Sequence, residues 1–371
     1  MAKSPLILAA LAKDAAPHLD FSQVKPLTAG TGGAFDSALL TATSGDHFTI
    51  KLPRNASAGT ALEVELRALS ALTAEVRAKL PFEITQVVGE TRETTGIRAV
   101  LFKFVYGDPS NPAQLSVGSK LADSVARAIA AIHSIDRQVI DNAGLPNLSI
   151  AEILKLRISE LDRIAATGRV PSALLTRWET ALEDVSIFHF QTCVIHGGLN
   201  ADSLLNLDDE VSGALGWSSL RVSDPAEDFA WIFGTGLHEN NDALLRSYLS
   251  YRDVVDHGFK ARAILYSELE LGRWLLHGIA ISDQAIIDDA VAMLSVLADE
   301  VQSGSISKLA AGTGPAAVLS SSLIEPDVVE DYAATAFASP AAEPVSNEDL
   351  QYVDLQTKPI ELPEKSDNEL F

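Results

Sequence analysis

Apolar positions follow two different spacings, and the change from one to the other divides the chain. Between about 24 and 106, short apolar runs alternate with polar or glycine-rich turns. Lys25-Pro26-Leu27, Ala38-Leu39-Leu40-Thr41-Ala42 and His47-Phe48-Thr49-Ile50-Lys51 read as strands, as do Glu83 to Val88 and Arg98 to Val105. One helix interrupts them over 60–79, where Leu62, Leu66, Leu69 and Leu72 recur at helical spacing. After Tyr106-Gly107-Asp108-Pro109 the spacing becomes helical over 115–136, 150–167, 171–185, 225–237, 240–255, 258–277 and 283–303. Between these lie short apolar pieces, Thr192 to Ile195, Leu204 to Leu207 and Ser212 to Leu215. The pattern predicts an α+β fold: an antiparallel β part with one helix, then a larger, mainly helical part.

The ends of the chain differ from its body. Pro5 to Ala12 is apolar but stops at Lys13-Asp14 with no small-residue cleavage site, which predicts a short helix rather than a leader. From about 305 the pattern breaks into Gly, Ser, Pro and Ala, and residues 325–371 hold twelve acidic residues against two lysines. Such a segment buries too little to offset the entropy of ordering it, so 306–371 is expected to be a disordered acidic tail. Its hydrophobes Tyr332, Phe337, Tyr352, Leu355, Leu370 and Phe371 are candidate contacts for a protein partner.

The formal charge of -22 over 371 residues argues against nucleic acid as a partner, since that affinity rests on basic residues displacing counterions. No uncharged apolar run approaches the roughly 18 residues of a membrane span. The single cysteine, Cys193, lies in the apolar run Thr192-Cys193-Val194-Ile195 and reads as a buried hydrophobe. A reducing, cytoplasmic compartment is the expectation. The eight histidines show no metal-ligand spacing, and one cysteine excludes a cysteine-rich zinc site, so no metal site is expected from these residues. No nucleophile elbow or P-loop occurs.

The segment 194–231 carries the chemistry. Val194-Ile195-His196-Gly197-Gly198-Leu199-Asn200-Ala201-Asp202-Ser203, then Leu215-Gly216-Trp217, then Asp224-Pro225 with Asp228-Phe229-Ala230-Trp231, resembles the aminoglycoside and macrolide phosphotransferase family. That family's pattern is H-G-D-L-x-x-x-N, I-D-W and D-P-x-x-D. The resemblance implies a bilobal, protein-kinase-like fold: a small lobe over 1–106 including the N-terminal helix, a hinge at Lys103 to Tyr106, and a helical lobe over 107–305. It also implies ATP with magnesium as cofactors, with Lys51 and Glu65 as the ion pair that orients an ammonium toward nucleotide phosphates. The glycines of 28–40 lie where a nucleotide-covering hairpin belongs.

At three positions the chain departs from the pattern. The aspartate that accepts the substrate proton corresponds to Gly198, the metal asparagine to Ser203 and the metal aspartate to Gly216. No general base can come from Gly198, and metal-bound ATP is expected to be held poorly. His196, Trp217, Asp224 and Asp228 match framework positions, with Asp224 before Pro225 also a helix-start signal in its own right. Asp202 is the one plausible substitute acid.

Three readings follow. A catalytically impaired pseudokinase would bind a ligand in an interlobe cleft, or a protein partner through the acidic tail. An active small-molecule O-phosphotransferase would use a non-standard metal site with Asp202. A nucleotide sensor would bind through Lys51 and Glu65 without turnover.

Overall fold

A computed structural model of the chain describes residues 3–27, 33–234, 237–252, 254–306 and 308–311. The acidic tail beyond 311 and the glycine-rich residues 28–32 lie outside the described residues. In chain order the elements are α1 (Pro5–Ala15), β1 (Phe21–Pro26), β2 (Phe35–Ala42), β3 (His47–Pro53), α2 (Ala56–Ala71), α3 (Ala74–Arg77), β4 (Glu83–Ile84), β5 (Val87–Arg92), β6 (Arg98–Lys103) and β7 (Asp108–Pro109). There follow α4 (Lys120–His133), α5 (Arg137–Ala143), α6 (Ile150–Ala166), α7 (Ser172–Glu183), β8 (Cys193–Ile195), β9 (Leu204–Leu207), β10 (Glu210–Ala214) and β11 (Arg221–Ser223). Helices α8 (Ala230–Phe233), α9 (His238–Tyr251), α10 (Phe259–Ala280) and α11 (Gln284–Ser303) complete the described chain.

Two compact units result. Among the described residues, the first is the chain through Ala131 together with Asn200–Ser219, and the second is Ile132–Leu199 with the residues from Leu220 to 311. They do not divide at residue 106. Glu83 and Ile84 of β4 pair in parallel with Gly213 and Ala214 of β10, and Asp108 and Pro109 of β7 pair with β9. Long-range pairing therefore draws the 204–214 hairpin into the first unit, and no linear pattern could show it.

In the first unit an antiparallel sheet runs β1-β2-β3-β6-β5. Side chains alternate across it, so Ala38, Leu40, Ile50, Leu52 and Leu101 share one face, which Leu8, Leu11 and Ala12 of α1 cover. Each leucine so buried contributes about 2 kcal/mol. Helix α1 meets β5 at Gly89, where a Cβ would stand 2.1 Å from the Ala15 carbonyl oxygen, so only glycine allows this approach. The opposite sheet face carries Lys51, opposite Val100 of β6.

The helix expected over 60–79 is instead two. Asn55 caps α2 by accepting from the Ala58 amide at 2.8 Å, and the chain stops at Leu72 before Thr73 caps the short α3. In the second unit the two-stranded sheet β8–β11 is flanked by helices, with α10 packed on α6 and α11. The helix expected over 225–237 is a 3-10 turn, Pro225–Phe229, followed by the one-turn α8. Helix α5 is capped by Asp136 and closed by Gly144 at a left-handed φ of 61°; it was not expected from periodicity because it is too short to repeat. Among the described residues, no helix is long and apolar enough to cross a membrane.

Candidate functional site

The buried face of α2 is Ala58, Ala61, Leu62, Glu65, Ala68 and Leu69, at helical spacing. Glu65 is thus the one acid on an apolar stripe, whereas Glu63 points outward to Arg98 at 3.2 Å. Lys51 Nζ lies 3.7 Å from Glu65 Oε2, and 5.4 and 5.9 Å from the ring centroids of Phe102 and Phe35. Glu65 Oε1 is buried with no hydrogen-bond partner among the described residues. The ammonium is held by a loose ion pair and two aromatic faces, and its side chain keeps 26% exposure, so it can meet an anion.

Within the second unit, β8 delivers His196 into the interior, fully buried. Asp228 accepts from the His196 amide at 2.8 Å and the Gly197 amide at 2.7 Å, and stands 3.1 Å from His133 Nε2. Tyr248 OH lies 2.8 Å from His133 Nδ1. Burial lowers the proton affinity of His133 more than its bond to Asp228 raises it, so the ring is neutral at pH 7. A neutral ring facing a carboxylate through Nε2 donates there and accepts from Tyr248 at Nδ1. Asp228 thereby fixes the backbone of the loop that leads to Gly198, which is exposed and has no side chain to offer.

In the first unit, residues 200–203 close on themselves. The Asn200 amide donates to Ser203 Oγ at 2.7 Å, and Ser203 Oγ donates back to the Asn200 carbonyl at 3.0 Å. Asn200 Oδ1 accepts from the amides of Asp202 and Ser203, both at 2.9 Å. Ser203 is 1% exposed, so its hydroxyl is committed inside the turn. Asp202 is half-buried beside it. The Leu215 amide donates to the Ser203 carbonyl at 2.8 Å, and Gly216 follows at φ 78°. Trp217 is fully buried, donates Nε1 to the Ala214 carbonyl at 3.0 Å, and lies in the short turn Trp217–Ser219 that packs on α2.

In the first unit Ser203 and Gly216 present no carboxylate and only one hydroxyl, which is already engaged, and in the second Gly198 has no side chain. Divalent magnesium takes carboxylates and phosphate oxygens in octahedral array, and this donor set does not fit it. Among the described residues no group of three or more His, Cys, Asp or Glu could hold a metal ion.

Asp224 is fully buried in the second unit. It accepts from the Ala226 amide at 2.9 Å, from Arg262 Nε at 2.6 Å and from Tyr266 OH at 2.7 Å. A second ionic layer joins Arg157 and Arg221 to Glu227, and Arg157 and Arg273 to Glu160. Burial penalises both acids, but the neighbouring arginines prevail and hold each at about 2. Sequence reasoning missed Asn200, Tyr248, Arg157 and Arg262. Asn200 alone carried a local signal, since Asn-x-x-Ser is suited to side-chain-capped turns. The other three reach the site from distant helices.

Residues 27–260 match the sequence model of the phosphotransferase enzyme family. Over 126 residues, 34% of this chain, there is 24% identity to the uncharacterized protein YcbJ of Bacillus subtilis, and the chain spans 41% of that relative's length. Among solved structures, the apoenzyme of macrolide 2'-phosphotransferase MphH from Brachybacterium faecium is similar with a TM-score of 0.64 and 21% identity, over 78% of this chain and 98% of that one. The GDP complex of wild-type aminoglycoside 2'-phosphotransferase-IIIa is similar with a TM-score of 0.65 and 18% identity, over 82% and 100%. These likenesses show the fold: kinase-like and α+β.

Proposed function

The chain belongs to the phosphotransferase enzyme family, and from that premise we propose that it is a catalytically impaired member, a pseudokinase that acts by binding a ligand or a protein. The observation that carries the reading is the closed Asn200–Ser203 turn. The residue in the metal-asparagine position has its hydroxyl turned inward, while Gly198 and Gly216 supply no acid. Loss of a general base alone lowers rates by about 100 to 10,000-fold, and loss of metal-borne charge stabilisation compounds it. The Lys51–Glu65 pair supports retained affinity for a nucleotide or another anion. The acidic residues 325–371 suit a basic protein partner. Substrates of the similar structures are not carried over, because fold alone does not set them.

The alternative is an active ATP-dependent small-molecule O-phosphotransferase with Asp202 as its acid, favoured by the position of Asp202 beside the turn. A magnesium-dependent ATP consumption assay, run with and without macrolide and aminoglycoside acceptors, separates the two. The pseudokinase reading expects wild type and Asp202→Ala to be equally silent. Turnover that Asp202→Ala abolishes would establish the alternative.

A further inference from the structure

We propose that the second unit carries a binding site for a small organic anion, with a carboxylate or phosphate-ester head and an apolar body. The site is a cavity of about 370 Å³ between α6 and β11, within the size range of small-molecule sites. Its cationic wall is Arg157, Arg163 and Arg221, and its apolar wall includes Leu148, Ile153 and Leu156. Three arginines and the carboxylate of Glu160 line it, Glu227 offsets part of the charge of Arg157 and Arg221 from behind, and the positive charge left over is that of Arg163.

The guanidiniums differ in what they have left to give. Arg157 is fixed by Glu160 at 2.9 Å, by Glu227 at 2.7 Å and by the Tyr266 ring at 4.9 Å from its central carbon. Its Nε is nevertheless buried with no acceptor among the described residues. With that nitrogen closed off from solvent, Arg157 contributes a fixed wall and positive field rather than a donor the ligand can reach. Arg221 is held by Glu227 at 2.5 Å and lends field rather than a free fork. Arg163 is exposed and makes no ion pair among the described residues, so it can close on a head group.

Leu156, 52% exposed on the turn of α6 before Glu160 and Arg163, gives the body of the ligand an apolar surface. A cation would meet the exposed Arg163, and inorganic phosphate would leave the apolar wall unused. The site stands apart from the pseudokinase reading, since Gly198, Ser203 and Gly216 do not line it.

The test is calorimetric titration of the full chain with hexyl phosphate, hexanoate, hexanol and inorganic phosphate at constant ionic strength. We expect saturable binding of hexyl phosphate, hexanoate or both. Hexanol and inorganic phosphate are expected to bind at least about tenfold more weakly, because each lacks one half of the recognition. Arg163→Ala should weaken the bound anion about tenfold without changing the thermal midpoint, and Arg163→Lys should restore part of the affinity. Which of the two anions binds assigns the head group. No saturable heat from either at millimolar concentration overturns the proposal. So does binding that is indifferent to Arg163→Ala, or that inorganic phosphate matches.

Discussion

Ser203 and Asn200 are joined by reciprocal hydrogen bonds, the Asn200 amide into Ser203 Oγ and that hydroxyl back to the Asn200 carbonyl. The side chain at the position that the sequence resemblance assigns to a metal ligand is the lock of its own turn. Ser203→Ala should therefore cost about 1 kcal/mol of stability in urea unfolding and leave nucleotide affinity unchanged. A large fall in affinity instead would give Ser203 a direct role in binding.

Restoring all three lost groups tests whether the framework is intact. Gly216 sits at φ 78°, a left-handed conformation that aspartate tolerates better than most residues, at a cost of about 1 kcal/mol. The triple variant Gly198→Asp, Ser203→Asn, Gly216→Asp is expected to gain magnesium-dependent ATP hydrolysis over wild type. If the variant folds with an unchanged circular dichroism spectrum but stays inactive, the framework has diverged beyond those three positions.

Asp228 is the tie between the His196 loop and helix α4. Asp228→Ala would leave the buried His196 amide, the half-buried Gly197 amide and His133 without their acceptor, and should destabilise the chain by about 3 kcal/mol or more. Asp228→Asn keeps the acceptor oxygen and should cost less. Equal, small losses in chemical denaturation would contradict the role given to this carboxylate.

Acid should unfold the protein in two stages of the same sign. His133 is buried neutral with its folded value below 6.5, so the unfolded chain takes the proton first and stability falls as pH drops below about 6.5. Glu160 and Glu227 are held at about 2 against 4.5 when unfolded, so their contribution is complete above 4.5 and is lost as pH falls from there toward 2. The thermal midpoint measured from pH 8 downward should show both stages, and His133→Gln should remove the upper one. A midpoint that is flat down to pH 5 would count against a neutral His133.

Burial pushes the Cys193 thiol up to about 12, and the residue is 7% exposed. Thiolate is the reactive form. Native protein should resist Ellman's reagent, and one thiol should appear in guanidinium; rapid native labelling would show β8 to be open.

How much the residues themselves revealed varied with the length of each signal. Helices α10 and α11 emerged nearly to the residue from periodicity alone, because each repeats its apolar stripe over several turns. Helix α2 starts at Ala56, before the stretch that periodicity predicts, since Ala56 to Thr60 carries no large apolar residue and only the Asn55 cap marks the boundary. The β4–β10 pairing and the Asp224–Arg262 bond join residues far apart in sequence and leave no local trace. In the candidate site, the departures from the family pattern at Gly198, Ser203 and Gly216 rest on motif spacing. That Ser203 closes onto Asn200 depended on side-chain direction, which spacing does not carry.

The most direct test of the central claim is a thermal-shift titration of the full chain with ATP and ADP, in magnesium and in chelator. A ligand at 100 times its dissociation constant stabilises the native state by about 2.7 kcal/mol, which is readily seen. With no carboxylate at positions 198 and 216 and the Ser203 hydroxyl engaged, any nucleotide shift should arise through Lys51 and be the same in magnesium and in chelator. A shift that appears only with magnesium would contradict the account and place a working metal site in this chain.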